Sequence, residues 1–294
     1  MKKYLGIDIG GTTAKCAIVL GSGEILKRKL FNTGHNNTPE NFLSELFDAV
    51  SFGMENGISG VGISCVGIIG PTGDFFGGHH NMPYLAGLNL KKIVSEKFNR
   101  LDVEMCNDAK AMARGEMWLG AGKNIRNFFC LALGTGIGGA IVLDSRVLEG
   151  SHFRAAEIAY IDYRSAEDFY ELRVSTKCVT DIAAQKAGLN SVDGFAFFDK
   201  VRQNNPLYVS VFDEWVRNIA AFAANIIITL DVEKIIIGGG VSTEKDILIP
   251  KLMVETENFL PPEFRGQTEI VAARCGNDAA ILGAVEMLIP ENEK

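Results

Sequence analysis

The chain has 294 residues, 47% of them apolar, which is enough for a large buried core and for about two domains. Twenty-nine basic against thirty-six acidic residues leave a formal net charge of −7, and the longest basic run is the triplet Lys27-Arg28-Lys29, so no nucleic-acid partner is expected. The most membrane-like stretch, Ile219 to Leu230, contains Asn225 and falls well short of the ~20 apolar residues a span requires, so no membrane partner is expected either.

Met1-Lys2-Lys3 runs straight into a strand pattern rather than a secretion signal, which predicts a cytoplasmic protein. In chain order, hydrophobic periodicity predicts strands near 4–9, 14–20 and 24–30, a helix near 39–56, a strand at 60–66, a helix at 89–98, a strand at 102–106 and a helix from 108 to about 119. A second series follows: strands near 128–134 and 139–144, mostly helices from 165 to 230, a strand at 234–237, a helix near 244–258, a strand at 268–273 and a last helix from 277. Strands alternating with helices make this an α/β chain. Cys16, Cys65, Cys106, Cys130, Cys178 and Cys275 are scattered through apolar runs with no C-x-x-C pair, which reads as reduced core thiols.

The two series echo each other. "AIVLGSGEIL" from Ala17 returns as "AIVLDSRVLEG" from Ala140, and "MCNDAKAMARGE" from Met105 returns as "RCGNDAAILGAVE" from Arg274. Each pair occupies a corresponding place, which predicts a duplication: two α/β lobes facing each other across a cleft, the first formed by 1–118 with 277–294 and the second by 119–276.

Asp8-Ile9-Gly10-Gly11-Thr12-Thr13 and Leu133-Gly134-Thr135-Gly136-Ile137-Gly138-Gly139 both join strand to strand. The second also satisfies G-x-G-x-x-G, but a dinucleotide fold needs a helix after that motif, and here Ala140-Ile141-Val142-Leu143 reads as a strand. A glycine turn between strands offers unobstructed N–H groups and Thr hydroxyls to phosphate oxygens; it also serves as an ordinary hairpin. Two such turns, with Asp8 at a strand end as a hard oxygen ligand for hydrated Mg²⁺, favour the phosphate reading. A third cluster, Gly238-Gly239-Gly240, follows an apolar strand where a base or ribose can approach the backbone. Asp108 stands where a strand becomes a helix, placed either to accept a proton from an attacking hydroxyl or, with Asn107, to cap the helix.

Together "DIGGTTAK", "CNDAKAMARGE", "LGTGIGGAIVL" and "IIIGGG" resemble the sugar kinases of the repressor/ORF/kinase family, in the actin and hexokinase superfamily. The resemblance spans nearly the whole chain. It implies an actin-like ATPase fold of two duplicated ribonuclease-H-like lobes, with ATP and Mg²⁺ between them and a homodimeric assembly. It implies nucleotide contacts from Asp8, Gly10, Gly11, Thr12 and Thr13, from Gly134, Thr135, Gly136 and Gly138, and from Gly238, Gly239 and Gly240, with Asp8 holding Mg²⁺ through water. It implies Asp108 as catalytic base, and sugar contacts from Asp108, Asn81 and Glu157; Asn107, an amide beside the base that can pair with sugar hydroxyls, is a further candidate contact. The implied reaction moves the γ-phosphoryl group of ATP to a hexose hydroxyl, the 6-OH of glucose or of a β-glucoside; N-acylhexosamine or fructose phosphorylation, and a non-catalytic ATP-binding scaffold, are the alternatives.

The sequence departs from the family where relatives carry Gly-Glu-x-Gly-His and a cysteine-rich zinc segment. Here the chain reads Ala156-Glu157-Ile158-Ala159-Tyr160, followed by Asp168-Phe169-Tyr170-Glu171-Leu172-Arg173, so the structural zinc is not expected. Tyr160 in place of that His is expected to loosen the anomeric side of the sugar site, and His152 is a candidate replacement contact. The repressors of the family place a helix-turn-helix ahead of the first phosphate turn; with Asp8 so near the start, none is expected.

Overall fold

The computed structural model describes residues 1–34, 37–77 and 82–293. Two units emerge: unit 1 is Met1–Lys123, Glu149–Ala155 and Asp278–Lys294, and unit 2 is Asn124–Leu148 and Ala156–Asn277.

Unit 1 opens with β1 (Lys3–Ile9), β2 (Thr13–Leu20) and β3 (Ile25–Asn32), then α1 (Pro39–Glu55), β4 (Gly60–Cys65), the short strands β5 (Ile68–Ile69) and β6 (Phe75–Gly77), α2 (Leu90–Lys97), β7 (Asp102–Asn107) and α3 (Asp108–Leu119). Its sheet runs β3-β2-β1-β4-β7, the first three strands antiparallel and β1, β4 and β7 parallel. β4 is buried from end to end and β1 along its middle, as central strands covered on both faces are. α1 starts where Thr38 accepts the Asn41 N–H and Pro39 presets the first turn. It then buries Phe42, Leu46, Ala49 and Val50 along one face, each large side chain contributing about 1.5–3 kcal/mol of burial.

Unit 2 repeats the topology with different residues. β8 (Phe128–Leu133), β9 (Ile137–Leu143) and β10 (Arg146–Val147) form the antiparallel part, followed by α4 (Glu171–Val174), α5 (Thr176–Ala187), α6 (Gly194–Arg202), α7 (Pro206–Leu230), β11 (Lys234–Gly238), α8 (Lys245–Phe259) and β12 (Glu269–Ala272). The order β10-β9-β8-β11-β12 matches that of unit 1 strand for strand, with β8, β11 and β12 parallel. The stretch Ile219 to Leu230 ends α7, which buries Trp215, Ile219, Phe222 and Ala223. Trp215 Nε1 donates to Val174 O at 2.7 Å, giving the buried indole its partner. Among the described residues no helix is long and apolar enough to cross a membrane, and all six cysteines are free thiols.

The last helix, α9 (Ala279–Glu286), belongs to unit 1 and packs on α3 and β4. Glycine permits that approach: a Cβ on Gly283 would stand 1.7 Å from Ala111 O, and one on Gly62 would stand 2.0 Å from Ala284 O. α9 therefore supports from behind the helix that begins at Asp108.

Candidate functional site

In unit 1 the first glycine turn is held from outside. Gly10 N–H donates to Thr13 O at 3.2 Å. Thr33, completely buried, closes over the turn: its Oγ1 donates to Gly10 O at 2.5 Å and its N–H to Thr12 O at 3.0 Å. Tyr84 OH donates to Thr33 O at 2.6 Å, anchoring the brace itself. Thr12 and Thr13 stay exposed.

Asp8, half-buried, stands in register with Lys15 on β2 and Ser64 on β4, and Ser64 Oγ donates to Asp8 Oδ1 at 2.9 Å. Burial first, and then the charge of Asp108, push the Asp8 carboxyl up to about 6, against the opposing pull of Ser64 and Lys15. Asp108 is itself pushed up by burial, opposed by the N–H groups of Ala109 and Asp108 and by the Asn107 side chain.

The capping of α3 falls to Asn107 and not to Asp108. Asn107 is the N-cap of α3: its Oδ1 accepts the N–H groups of Ala109 at 2.9 Å and Lys110 at 3.1 Å, while Nδ2 donates to Gly67 O at 3.1 Å. Asp108 is the first helical residue, with Oδ1 accepting the Ala109 N–H at 2.9 Å. Two mutually repelling carboxylates fit a divalent cation. Mg²⁺ commonly takes one or two carboxylates and keeps waters, so it does not require the cluster of three or more ligating side chains that is lacking among the described residues.

His152 is exposed on the Glu149–Ala155 segment of unit 1. Asn81 lies outside the described residues.

In unit 2 the second glycine turn is Gly134-Thr135-Gly136, between β8 and β9. Gly134 N–H donates to Gly136 O at 2.9 Å, and Thr176 N–H donates to Gly134 O at 2.8 Å. Glu171 Oε2 accepts the Ile137 N–H at 2.9 Å. Gly138 is inside β9, opposite Ala132, rather than in the turn, because the ladder resumes at Ile137. A strand follows the motif, as the rejection of a dinucleotide fold requires.

Gly238 ends β11, and Gly239 turns the chain with φ 79°, where a Cβ would stand 2.2 Å from Leu133 O. Gly240 opens the next turn and lines a cavity of about 580 Å³ with Gly134, Thr135, Thr176, Phe198 and Val241. Phe195, 71% exposed, stands at its edge, and Lys177 and Glu244 also line it. The cavity brings together the second and third glycine clusters, through Gly134, Thr135 and Gly240; Gly136, Gly138, Gly238 and Gly239 do not line it.

Glu157 precedes a short turn, Ile158–Tyr160. Tyr160 stacks on Phe169 at 5.8 Å, and Phe169 on Tyr163 at 6.1 Å. Arg173 pairs with Asp162 at 2.8 Å, and Arg164 pairs with Asp162 at 3.0 Å and with Asp168 at 3.5 Å. Stacked rings and ion pairs therefore tie together the segment that follows Glu157.

Sequence reading did not single out Thr33, Ser64, Lys110, Thr176 or Phe195. Ser64 left a trace, a lone hydroxyl in an apolar strand; the others become visible only when distant segments are brought together.

A profile of the ROK family matches residues 4–291. A glucokinase of Halalkalibacterium halodurans is 28% identical over 95% of this chain and 93% of its own. A beta-glucoside kinase of Listeria innocua is 28% identical over 99% of both. The crystal structure of a ROK family glucokinase from Streptomyces griseus, in complex with glucose and AMPPNP, superposes with a TM-score of 0.86 at 26% identity, covering 97% of this chain and 98% of that one. The shared architecture is the actin-like ATPase fold, with its two ribonuclease-H-like halves. The chain belongs to the ROK family.

Proposed function

We propose that the protein is an ATP-dependent sugar kinase that transfers the γ-phosphoryl group to a hexose hydroxyl, the 6-OH of glucose or of a glucoside. The observation that carries this reading is the position of Asp108: it opens α3 with its carboxylate held by the Ala109 N–H, while Asn107 does the capping. A carboxylate so fixed, with its proton affinity raised by burial, suits a base that takes a proton from an alcohol as the alcohol attacks phosphorus. The sugar oxygen forms the new bond to the γ-phosphorus, the bond to the bridging oxygen breaks, ADP leaves with that electron pair, and the proton passes to Asp108.

Asp8 would hold Mg²⁺ through water, and the cation would neutralise charge on the phosphates. The turn at Gly10–Thr13, braced by Thr33, and the turn at Gly134–Gly136, fastened by Thr176, supply backbone N–H groups and Thr hydroxyls for phosphate oxygens. The cavity beside Gly240 is of a size and character suited to a nucleoside, with the exposed Phe195 for the flat base. Glu157 and His152 are sugar-contact candidates. The same reading takes a homodimer as the working assembly and the cytoplasm as the compartment, and, with a net charge of −7 and no long basic run, assigns no nucleic-acid partner.

ADP release measured with and without glucose, N-acetylmannosamine, fructose and β-glucosides tests the reading. Release that depends on one or more of these sugars is expected; hydrolysis indifferent to sugar, or none, contradicts it.

A further inference from the structure

Two aromatic rings of unit 1, Phe76 and Phe153, have no role in the account above. Their centroids are 5.8 Å apart and their planes 18° from parallel. Phe76 is 52% exposed. Its neighbour Phe75 packs against the core of unit 1 while Phe76 faces away, the alternation a strand imposes. Phe76 thus presents an aromatic ring to solvent, with the half-buried Phe153 stacked against it.

The backbone beneath it is strained and braced. Phe153 has φ 61°, a left-handed conformation that a bulky residue rarely adopts and that persists only where its surroundings enforce it. The residue is held from both sides: its N–H donates to Gly150 O at 3.3 Å, and its carbonyl accepts from Lys110 Nζ at 3.1 Å, which also donates to Glu149 Oε2 at 2.6 Å and whose side chain is only 2% exposed. Phe76 lies against Gly70, where a Cβ would come within 2.6 Å of the ring.

Both supports lead back to Asp108. Lys110 stands two residues further along α3. Gly70 is three residues beyond Gly67, at most about 11 Å of chain, and Gly67 O accepts from Asn107 Nδ2. The segments that carry the two rings are therefore tied to the start of α3, the helix that opens at Asp108.

We propose that Phe76 and Phe153 form a second-ring subsite, which receives the C–H face of a pyranose joined through the anomeric oxygen to the sugar that is phosphorylated. The preferred acceptor is then a disaccharide. Aromatic and pyranose C–H faces are both flat and apolar, and stacking removes both from water, whereas a monosaccharide held at Asp108 leaves the aromatic surface wet. This inference rests on the kinase reading above.

The test is steady-state kinetics of the full chain on glucose, cellobiose and maltose, for the wild type, Phe76→Ala and Phe76→Tyr. Phosphorylation of at least one disaccharide is expected. Phe76→Ala should raise KM for that disaccharide by roughly ten-fold more than for glucose, with kcat little changed, and Phe76→Tyr should restore the wild-type ratio. Phe153→Ala should show the same bias. Equal losses on glucose and disaccharide, or turnover of glucose with neither disaccharide accepted, overturn the subsite while leaving the kinase reading in place. Failure of the wild type to phosphorylate any sugar overturns both.

Discussion

Lys110 Nζ lies 2.6 Å from Glu149 Oε2, so the helix that begins at Asp108 is fastened in its first turn to the Glu149–Ala155 segment. The ammonium is buried, the carboxylate half-buried, and Arg114 adds a second cation 3.6 Å from Glu149 Oε1. Replacing Glu149 strands a buried charge, whereas replacing both partners by apolar residues does not. Glu149→Gln should cost about 1–3 kcal/mol, and the pair Lys110→Met with Glu149→Leu should recover most of it. Thermal unfolding checks this; an unchanged Tm in Glu149→Gln would contradict it.

Asp8 ionises near 6 in the fold against 3.8 ordinarily. The folded state thus favours the protonated acid: the stability this group contributes is complete below pH 4 and is lost as pH rises through 6. Above that, the ionised carboxylate costs on the order of 2–3 kcal/mol. Without nucleotide or metal, Asp8→Asn should melt above the wild type at pH 8 and lose that advantage at pH 4. It should also lose sugar-dependent turnover. Melting curves at the two pH values decide, and a variant less stable at pH 8 contradicts the assignment.

The cavity of unit 2 permits a substitution that fills space without disturbing the fold. A Cβ at Gly240 meets nothing within 4 Å, whereas one at Gly239 would strike Leu133 O. Gly240→Val should fold normally and raise the KM for ATP roughly ten-fold, the effect of an intruding methylene-sized group or two. Gly239→Ala should instead destabilise by about 1–3 kcal/mol through backbone strain. An unaltered KM for ATP in a well-folded Gly240→Val would show that the nucleoside binds elsewhere.

The central strands β4, β8 and β11 were legible because each is an apolar run bounded by glycine or polar residues, and the repeated "AIVL" segments fell on β2 and β9, equivalent strands of the two sheets. Asp8 and Asp108 were legible because a carboxylate at the edge of a buried strand is costly unless it is used. Thr33, Ser64 and Thr176 were not, since a hydroxyl is common in any loop and its importance here comes from a partner far away in the chain. Lys110 read as one more helix residue; only the return of Glu149 to unit 1 gives it a partner. Gly138 was misplaced because a glycine in a ladder and a glycine in a turn look alike until the register is known.

The central claim is that Asp108 takes the proton from the attacking sugar hydroxyl. Asp108→Asn preserves shape and leaves the cap on Asn107. Sugar-dependent ADP formation and calorimetric binding of a non-hydrolysable ATP analogue, measured on the same preparation, should give a kcat lowered by roughly 10²–10⁴-fold with nucleotide affinity within about three-fold of the wild type. Near-normal kcat in a variant that binds nucleotide normally would contradict the account.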